Sequence, residues 1–291
     1  MEVLTLAEEQ LHKLDKYHVD SGVSNSESQI FYFNQGNKEY LFKYLSNPDK
    51  EILANKVLTL RMLEKYALEA DLDEFVLPEF LVSSNDSIVG FLLPEKRNST
   101  PLGILLKSSE LSKREKLELV KQVGNLIEKT RTLDNRGIPF YFSDLHENNF
   151  LVDNNTRKLS VIDLDSSTFR SDIALPSYYL INNPNLGNVS KYSFNVFGIP
   201  YPSHDNDLLC YNMMLLNVFA EENMNLVSVD EYDGYLDYLQ KIGLSKNLVD
   251  SFRTVYTEEP NVNASLFLDN VSDDILEISS FNHMKSNLKR R

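Results

Sequence analysis

The stretch from Tyr141 to Ser166, YFSDLHENNFLVDNNTRKLSVIDLDS, constrains this 291-residue chain more than any other. Phe150-Leu151-Val152 and Leu159 to Ile162 are apolar runs short enough to be strands, and the polar DNNTRK between them reads as a hairpin turn. Polar side chains crowd one end of each strand. Asp144 lies a loop ahead of the first and Asn149 at its threshold, while Asp163 and Asp165 close the second. Pairing the strands is expected to bring Asp144, Asn149 and Asp163 to one mouth. A mouth of carboxylates and an amide suits a hard cation such as Mg²⁺, which takes oxygen ligands, keeps several waters and bridges protein carboxylates to phosphates.

Composition narrows the classes of partner. The 43 acidic residues outnumber the 29 basic ones, for a formal charge of -14. Such a surface argues against nucleic acid and anionic membranes, and would favour a basic partner or cationic substrate, although acidic surfaces are mostly just solvated. The single Cys210 leaves no internal disulfide framework and fits a reducing cytoplasm; its apolar, helical neighbourhood makes it a core residue. No apolar run approaches the length of a bilayer span, and Met1 to Ala7 lacks the pattern of a signal peptide. A cytoplasmic location without a membrane partner is therefore expected. The chain is long enough for one large domain or two lobes, and the lack of an internal repeat sets solenoids aside.

Taken in order, Leu4 to Tyr17 has apolar residues at Leu4, Leu6, Leu11 and Leu14, which suggests a short amphipathic helix or an irregular leader. Strands follow at Gln29 to Asn34 and Glu39 to Tyr44, around the turn Gln35-Gly36-Asn37. The small residues Asp20 to Ser28 ahead of them read either as a phosphate-cradling loop or as an ordinary flexible turn. Lys43 shares a face with Leu41 and Leu45. An ammonium on an apolar face needs a partner, or must snorkel to water from an edge strand. Asn47-Pro48 is a cap and first turn for a helix to about Leu68. Val76 to Val82 and Ser87 to Leu93 form a hairpin that completes a five-stranded lobe, which ends at Leu93-Pro94-Glu95.

Beyond it the periodicity becomes helical, at Leu102 to Lys107 and Ser112 to Asp134, the latter with Leu117, Val120, Val123, Leu126 and Ile127 on one face. Ser167 to Ser203 is a long, Pro-containing loop in which Tyr178, Tyr179, Tyr192 and Tyr201 are substrate contacts or packing residues. Asp205-Asn206-Asp207 then caps an apolar helix, Leu208 to Phe219. Further helices are expected at Val229 to Ile242, Lys246 to Tyr256 and Leu266 to Ser279, with a frayed basic tail from Lys285 to Arg291. The fold class is α+β, with a small β-rich lobe over 1–94 and a mainly helical lobe over 95–291.

Asp144-Leu145-His146-Glu147-Asn148-Asn149-Phe150-Leu151-Val152 resembles the catalytic loop of the protein-kinase-like superfamily, Asp-x-x-x-x-Asn followed by an apolar strand. Val161-Ile162-Asp163 resembles the strand that delivers that family's metal-binding Asp, here fourteen residues after Asn149. The resemblance implies a bilobal protein-kinase-like fold and transfer of phosphate from ATP, with Mg²⁺, to a hydroxyl, foremost a Ser or Thr of a protein. It implies Asp144 as the catalytic residue that orients the hydroxyl and accepts its proton. Lys43 would grip the nucleotide phosphates, and Asn149 and Asp163 would hold the metal. It also gives Asp207 the role of tying its helix to the catalytic loop; a plain N-cap is the other reading.

The departures from the family carry information. Phe142-Ser143 stands where many protein kinases have His-Arg, so the Arg that pairs with an activation-loop phosphate is missing. His146 replaces a Lys, and Asp-Leu-His is shared with aminoglycoside and choline kinases, whose substrates are small molecules. The family's helix Glu, which pairs with the Lys about sixteen to twenty residues before it, has no clear counterpart. Thr59 and Leu60 occupy that window, Glu51 is early and Glu64 late. Leu164-Asp165 replaces Phe-Gly, with Asp165 either a further metal ligand or a strand-end cap. These departures keep two alternatives open, a small-molecule kinase and a pseudokinase that only binds. The acceptor and the oligomeric state are not legible in the sequence.

Overall fold

A computed structural model of the chain describes residues 1–14, 28–45, 50–67, 69–170, 202–253 and 262–288. The expected Asp20 to Ser28 loop, save its last residue, the Asn47-Pro48 cap, the four loop tyrosines and the end of the Lys246 helix lie outside the described residues. The chain is mixed α+β and divides into two compact units: Met1–Ser99 with Ser160–Asp165, and Thr100–Leu159 with Ser166–Arg291.

In the first unit, alternation of aromatic and polar residues forms the sheet. Strands β1 (Glu2–Thr5), β2 (Ser28–Gln35), β3 (Lys38–Leu45), β4 (Phe80–Ser84) and β5 (Ser87–Pro94) lie in the order β1-β4-β5-β3-β2. All neighbours are antiparallel except β1, which runs parallel to β4. One face of the sheet buries Tyr40, Phe42, Val82 and Leu92 with Leu6, and Phe31, Phe33 and Phe80 pack against them. The period of two then turns Lys43 to the opposite face from Phe42. At Gly90 an added Cβ would lie 2.1 Å from the Lys43 carbonyl oxygen, so the close run of β5 past β3 depends on glycine.

The start of the chain differs from expectation. Glu2–Thr5 is a strand, and the helix that follows, α1, is only Glu8–Leu11. Leu4 and Leu6 stand two apart, the period of a strand, and the edge of β4 offers β1 its hydrogen-bond partners. Strand β4 starts at Phe80 rather than Val76, because the backbone of Glu74 to Val76 is committed elsewhere. Phe75 forms a parallel bridge with Val161; the Val76 N–H donates to the Val161 carbonyl at 2.9 Å, and the Val161 N–H to the Glu74 carbonyl at 2.8 Å. Those bonds fasten Ser160–Asp165 to the first unit. Helix α2 (Lys50–Tyr66) buries Asn55, Lys56, Thr59, Leu60 and Leu63, spaced by threes and fours along one stripe. Two of the buried five have polar amide or ammonium heads.

The second unit is helical around a short hairpin. Strands β6 (Ser99–Pro101), β7 (Phe150–Asp153) and β8 (Leu159–Val161) form a sheet in that order. The β7–β8 turn is built on Asp153, whose carboxylate accepts from the N–H groups of Asn155 and Thr156. Helix α3 is Leu102–Lys107, and α4 is Lys113–Arg131, started by a capping box between Ser112 and Glu115. Helices α5 (His204–Ala220), α6 (Val229–Lys241), α7 (Lys246–Arg253), α8 (Asp273–Ile278) and α9 (Phe281–Leu288) follow. Cys210 is buried in α5.

Three details revise the expected helices. The N-cap of α5 is Ser203, which accepts from the Asn206 N–H, so Asp207 sits inside the first turn and is free for another task. Leu266 to Ser279 is not one helix: Ala264–Asn270 is 3₁₀, and Ser272 caps a new start at Asp273. Lys285 does not begin a frayed tail. It lies in α9, with its ammonium 4.3 Å over the Phe281 ring and 3.2 Å from Glu231. Among the described residues, no helix is long and apolar enough to cross a membrane.

Candidate functional site

The sequence candidates fall into two clusters, one in each unit. The first is built on Lys43. Its ammonium pairs with Asp163 and, at 2.6 Å, with an oxygen of Asp165; the other Asp165 oxygen accepts from Lys56 of α2 at 3.0 Å. The Lys43, Lys56 and Asp165 side chains are buried, whereas that of Asp163 is 33 % exposed. Two ammonium and two carboxylate groups make a balanced set, which is what allows charges to stay ionised away from water. Burial works against the charge of Lys43, but Asp163 and then Asp165 outweigh it and raise its pKa above the ordinary lysine value. Burial opposes ionisation of Asp165 as well. Lys43 and Lys56 overcome it and hold that carboxyl well below the usual carboxylate range. For Asp163 burial prevails over the pull of Lys43, and with Asp165 beside it the pKa is raised.

The local backbone explains how Asp163 is presented. Val161 is tied to Glu74 and Val76, and two residues later Asp163 has φ 62, left-handed for a residue with a side chain. Chain direction changes there, and Leu164–Ser166 follows as a 3₁₀ turn that carries Asp165. Backbone conformations of this kind concentrate at functional sites. Asp165 thus lies in a 3₁₀ turn rather than at a strand end, and each of its oxygens accepts from a lysine.

The second cluster is held mainly through backbone. Ser143 also has φ 62, and the Asp144 N–H donates to the Phe142 carbonyl across it at 2.7 Å, a γ-turn of the rarer left-handed kind. Successive amides of an extended chain point to opposite sides. Here the Phe142 and Ser143 N–H groups both reach Asp207, donating to Oδ2 at 2.9 Å and Oδ1 at 3.2 Å. Burial pushes Asp207 up to about 7, against the two N–H donors that favour its ionised form. The turn is further fixed by paired backbone bonds between Tyr141 and Thr168, both 2.9 Å.

Within this loop the Asn149 Nδ2 donates to the Asp144 carbonyl at 2.8 Å. A carbonyl only accepts, so the amide must present its NH₂ there and turn Oδ1 outward, the atom a cation would take. His146 accepts from the Asn148 N–H through Nδ1 at 3.2 Å, which leaves Nε2 as the protonated nitrogen of the neutral ring, 3.6 Å from Asp144 Oδ2. Gly103 of α3 lies against this loop so closely that a Cβ would sit 2.3 Å from Asn148 Oδ1.

Of the four candidates, then, Lys43 meets Asp163 and Asn149 meets Asp144. Asp163 and Asn149 each carry an oxygen of the kind Mg²⁺ prefers. Among the described residues, no group of three or more Asp, Glu, His or Cys side chains is placed to hold a metal. A cation at Asp163 would complete its shell with water and phosphate oxygens, as Mg²⁺ commonly does. Lys56 was missed in the sequence, although it stands four residues before Leu60 and seven before Leu63, on the apolar stripe of α2. Glu64, one of the two acidic residues considered for Lys43, instead pairs with the amino terminus of Met1. A comparison with models of known protein families finds no match, and a comparison with curated proteins finds none either.

Proposed function

We propose that this chain is an ATP- and Mg²⁺-dependent phosphotransferase of bilobal protein-kinase-like fold, acting in the cytoplasm on a hydroxyl, foremost a Ser or Thr of a protein. The observation that carries the reading is the ion pair between Lys43 and Asp163. These residues are 120 positions apart, and the resemblance implies a phosphate or metal role for each. In this reading Lys43 holds nucleotide phosphates, and Asp163 and Asn149 are the protein ligands for the metal. Bound Mg²⁺ would neutralise charge on the transferring phosphate. Asp144, on a loop that Asp207 and Asn149 fix, orients the acceptor hydroxyl and takes its proton.

A small hydroxyl-bearing acceptor is the second reading, favoured by His146 beside Asp144 in an Asp-Leu-His arrangement. Incubation with γ-labelled ATP and Mg²⁺ tests both, with basic proteins and amino alcohols offered separately. Label in protein supports the first acceptor class and label in an amino alcohol the second. Asp144→Ala and Asp163→Ala should each lower turnover by at least about a hundredfold. Full activity in either variant removes that residue from its role, and nucleotide binding without any transfer points to a binding module.

A further inference from the structure

Lys43 needs a neighbour that holds its ammonium in place even when Asp163 changes partner, and α2 contributes to that neighbour a base rather than an acid. We infer that Asp165, clamped by Lys56 of α2, is the residue that positions Lys43, in the place where the resemblance calls for a helix glutamate. The inference rests on the phosphotransfer reading for its purpose, and on the geometry of the first unit for its content.

Lys43 has three N–H donors, of which Asp163 and Asp165 engage two. Asp165 spends one oxygen on Lys43 and the other on Lys56, at 2.6 and 3.0 Å, and its side chain is 5 % exposed. Both of its oxygens are engaged, so it is the less available of the two carboxylates to a cation. Asp163, a third exposed and bonded to Lys43 alone among these lysines, can turn to a cation. The two carboxylates therefore divide the work. When Asp163 is drawn to a metal, Asp165 retains Lys43, and the freed donors face phosphate. Lys56 matters because it satisfies the far oxygen of Asp165. Without it, a buried carboxylate oxygen would lack a partner, and the group would turn to find one.

The test uses the full chain with Asp165→Asn, Lys56→Met and Lys56→Arg. The first readout contains no nucleotide: the rate at which a small amine-acylating reagent modifies Lys43, followed by mass spectrometry. Asp165→Asn and Lys56→Met should raise that rate about tenfold or more, and Lys56→Arg should keep the wild-type rate. The second is the affinity for a non-hydrolysable ATP analogue with Mg²⁺. It should fall about 10- to 100-fold in the first two variants, the loss of a charge-assisted hydrogen bond. Their dependence on Mg²⁺ concentration should match wild type, whereas Asp163→Asn shifts it. Lys56→Leu, which likewise cannot donate to Asp165, replaces Lys56→Met if the latter does not fold.

Unchanged protection of Lys43 in folded Lys56→Met or Asp165→Asn overturns the inference, as does a Mg²⁺ dependence in Asp165→Asn like that of Asp163→Asn. Wild-type protein that binds no nucleotide ends the phosphotransfer reading alone, because the acylation rates still decide what holds Lys43.

Discussion

The Lys43 cluster and the Asp144 loop are held by different means. The first gathers side chains from β3, α2 and the Ser160–Asp165 segment, and its bonds are ion pairs between residues more than a hundred positions apart. The second fixes residues that are neighbours in sequence, and uses backbone N–H and C=O groups, with Asp207 as a distant anchor. A buried ion-pair set tolerates the loss of no single member, because each loss leaves a charge without its counter-charge. A backbone-held loop loses one hydrogen bond at a time. The same purpose, placing a polar group with precision, is thus served by one fragile device and one graded device.

The largest expected effect lies in the fragile one. Lys43→Met leaves Asp163 and Asp165 facing each other without the shared cation, and should lower stability by about 3–5 kcal/mol in chemical denaturation. A loss below about 1 kcal/mol would mean that water reaches the cluster and the contrast between the regions is false. In the second region Asp207→Ala should cost about 1–3 kcal/mol for each of the two N–H groups it orphans. Asp207→Asn keeps an oxygen acceptor and should cost less.

Gly103→Ala comes next. Its methyl group meets Asn148 and Glu147. Those side chains must move aside at a cost of about 1 kcal/mol, and turnover should fall more than stability if the loop is the catalytic one. Gly103→Ala with wild-type turnover would show that the Asn148 and Glu147 side chains can move without consequence.

The smallest effects are in pH, and here Asp165 and Asp207 have opposite signs. The Asp165 carboxyl, lowered by its lysines, contributes stability above its ordinary 3.8 that is lost as the pH falls below it. Lys43, raised above its ordinary 10.5, contributes stability below that value that is lost at still higher pH. Asp207 acts the other way. Its folded form holds a proton that the unfolded chain releases above 3.8, so its contribution declines as the pH rises from 3.8 to about 7. In the first unit Asp165→Asn should remove an acid-side loss of stability, which the raised Asp163 partly offsets, and in the second unit the Asp207 slope runs the other way. Asp207→Asn should flatten the second slope, and an unchanged slope would assign it to another group.

Much of this was legible along the chain because it depends on local pattern. The strand pair β2–β3, α3, α4 and the β7–β8 hairpin follow from alternation, helical periodicity and turn chemistry within a few residues. Asp144 and Asn149 were legible for the same reason, since their spacing is a local property. What escaped was set by partners distant in sequence. Strand β1 forms on the edge of β4, and the chain before β4 stays out of the main sheet because Val161 claims it. Asp205-Asn206-Asp207 looked like one cap, but Ser203 takes that role and Asp207 reaches back to Phe142 and Ser143.

By itself the sequence determined the α+β class, the strands and helices of strong period, and the short list of polar residues with chemical promise. It could mark Lys43 as an ammonium in need of a counter-charge but not name the counter-charge. Only the tertiary structure decided that, by returning Ser160–Asp165 to the first unit and setting Lys56 of α2 against Asp165. The physical reason is that periodicity reports which face of an element is buried. Which charges neutralise one another inside depends on contacts across more than a hundred residues, and no local pattern records them.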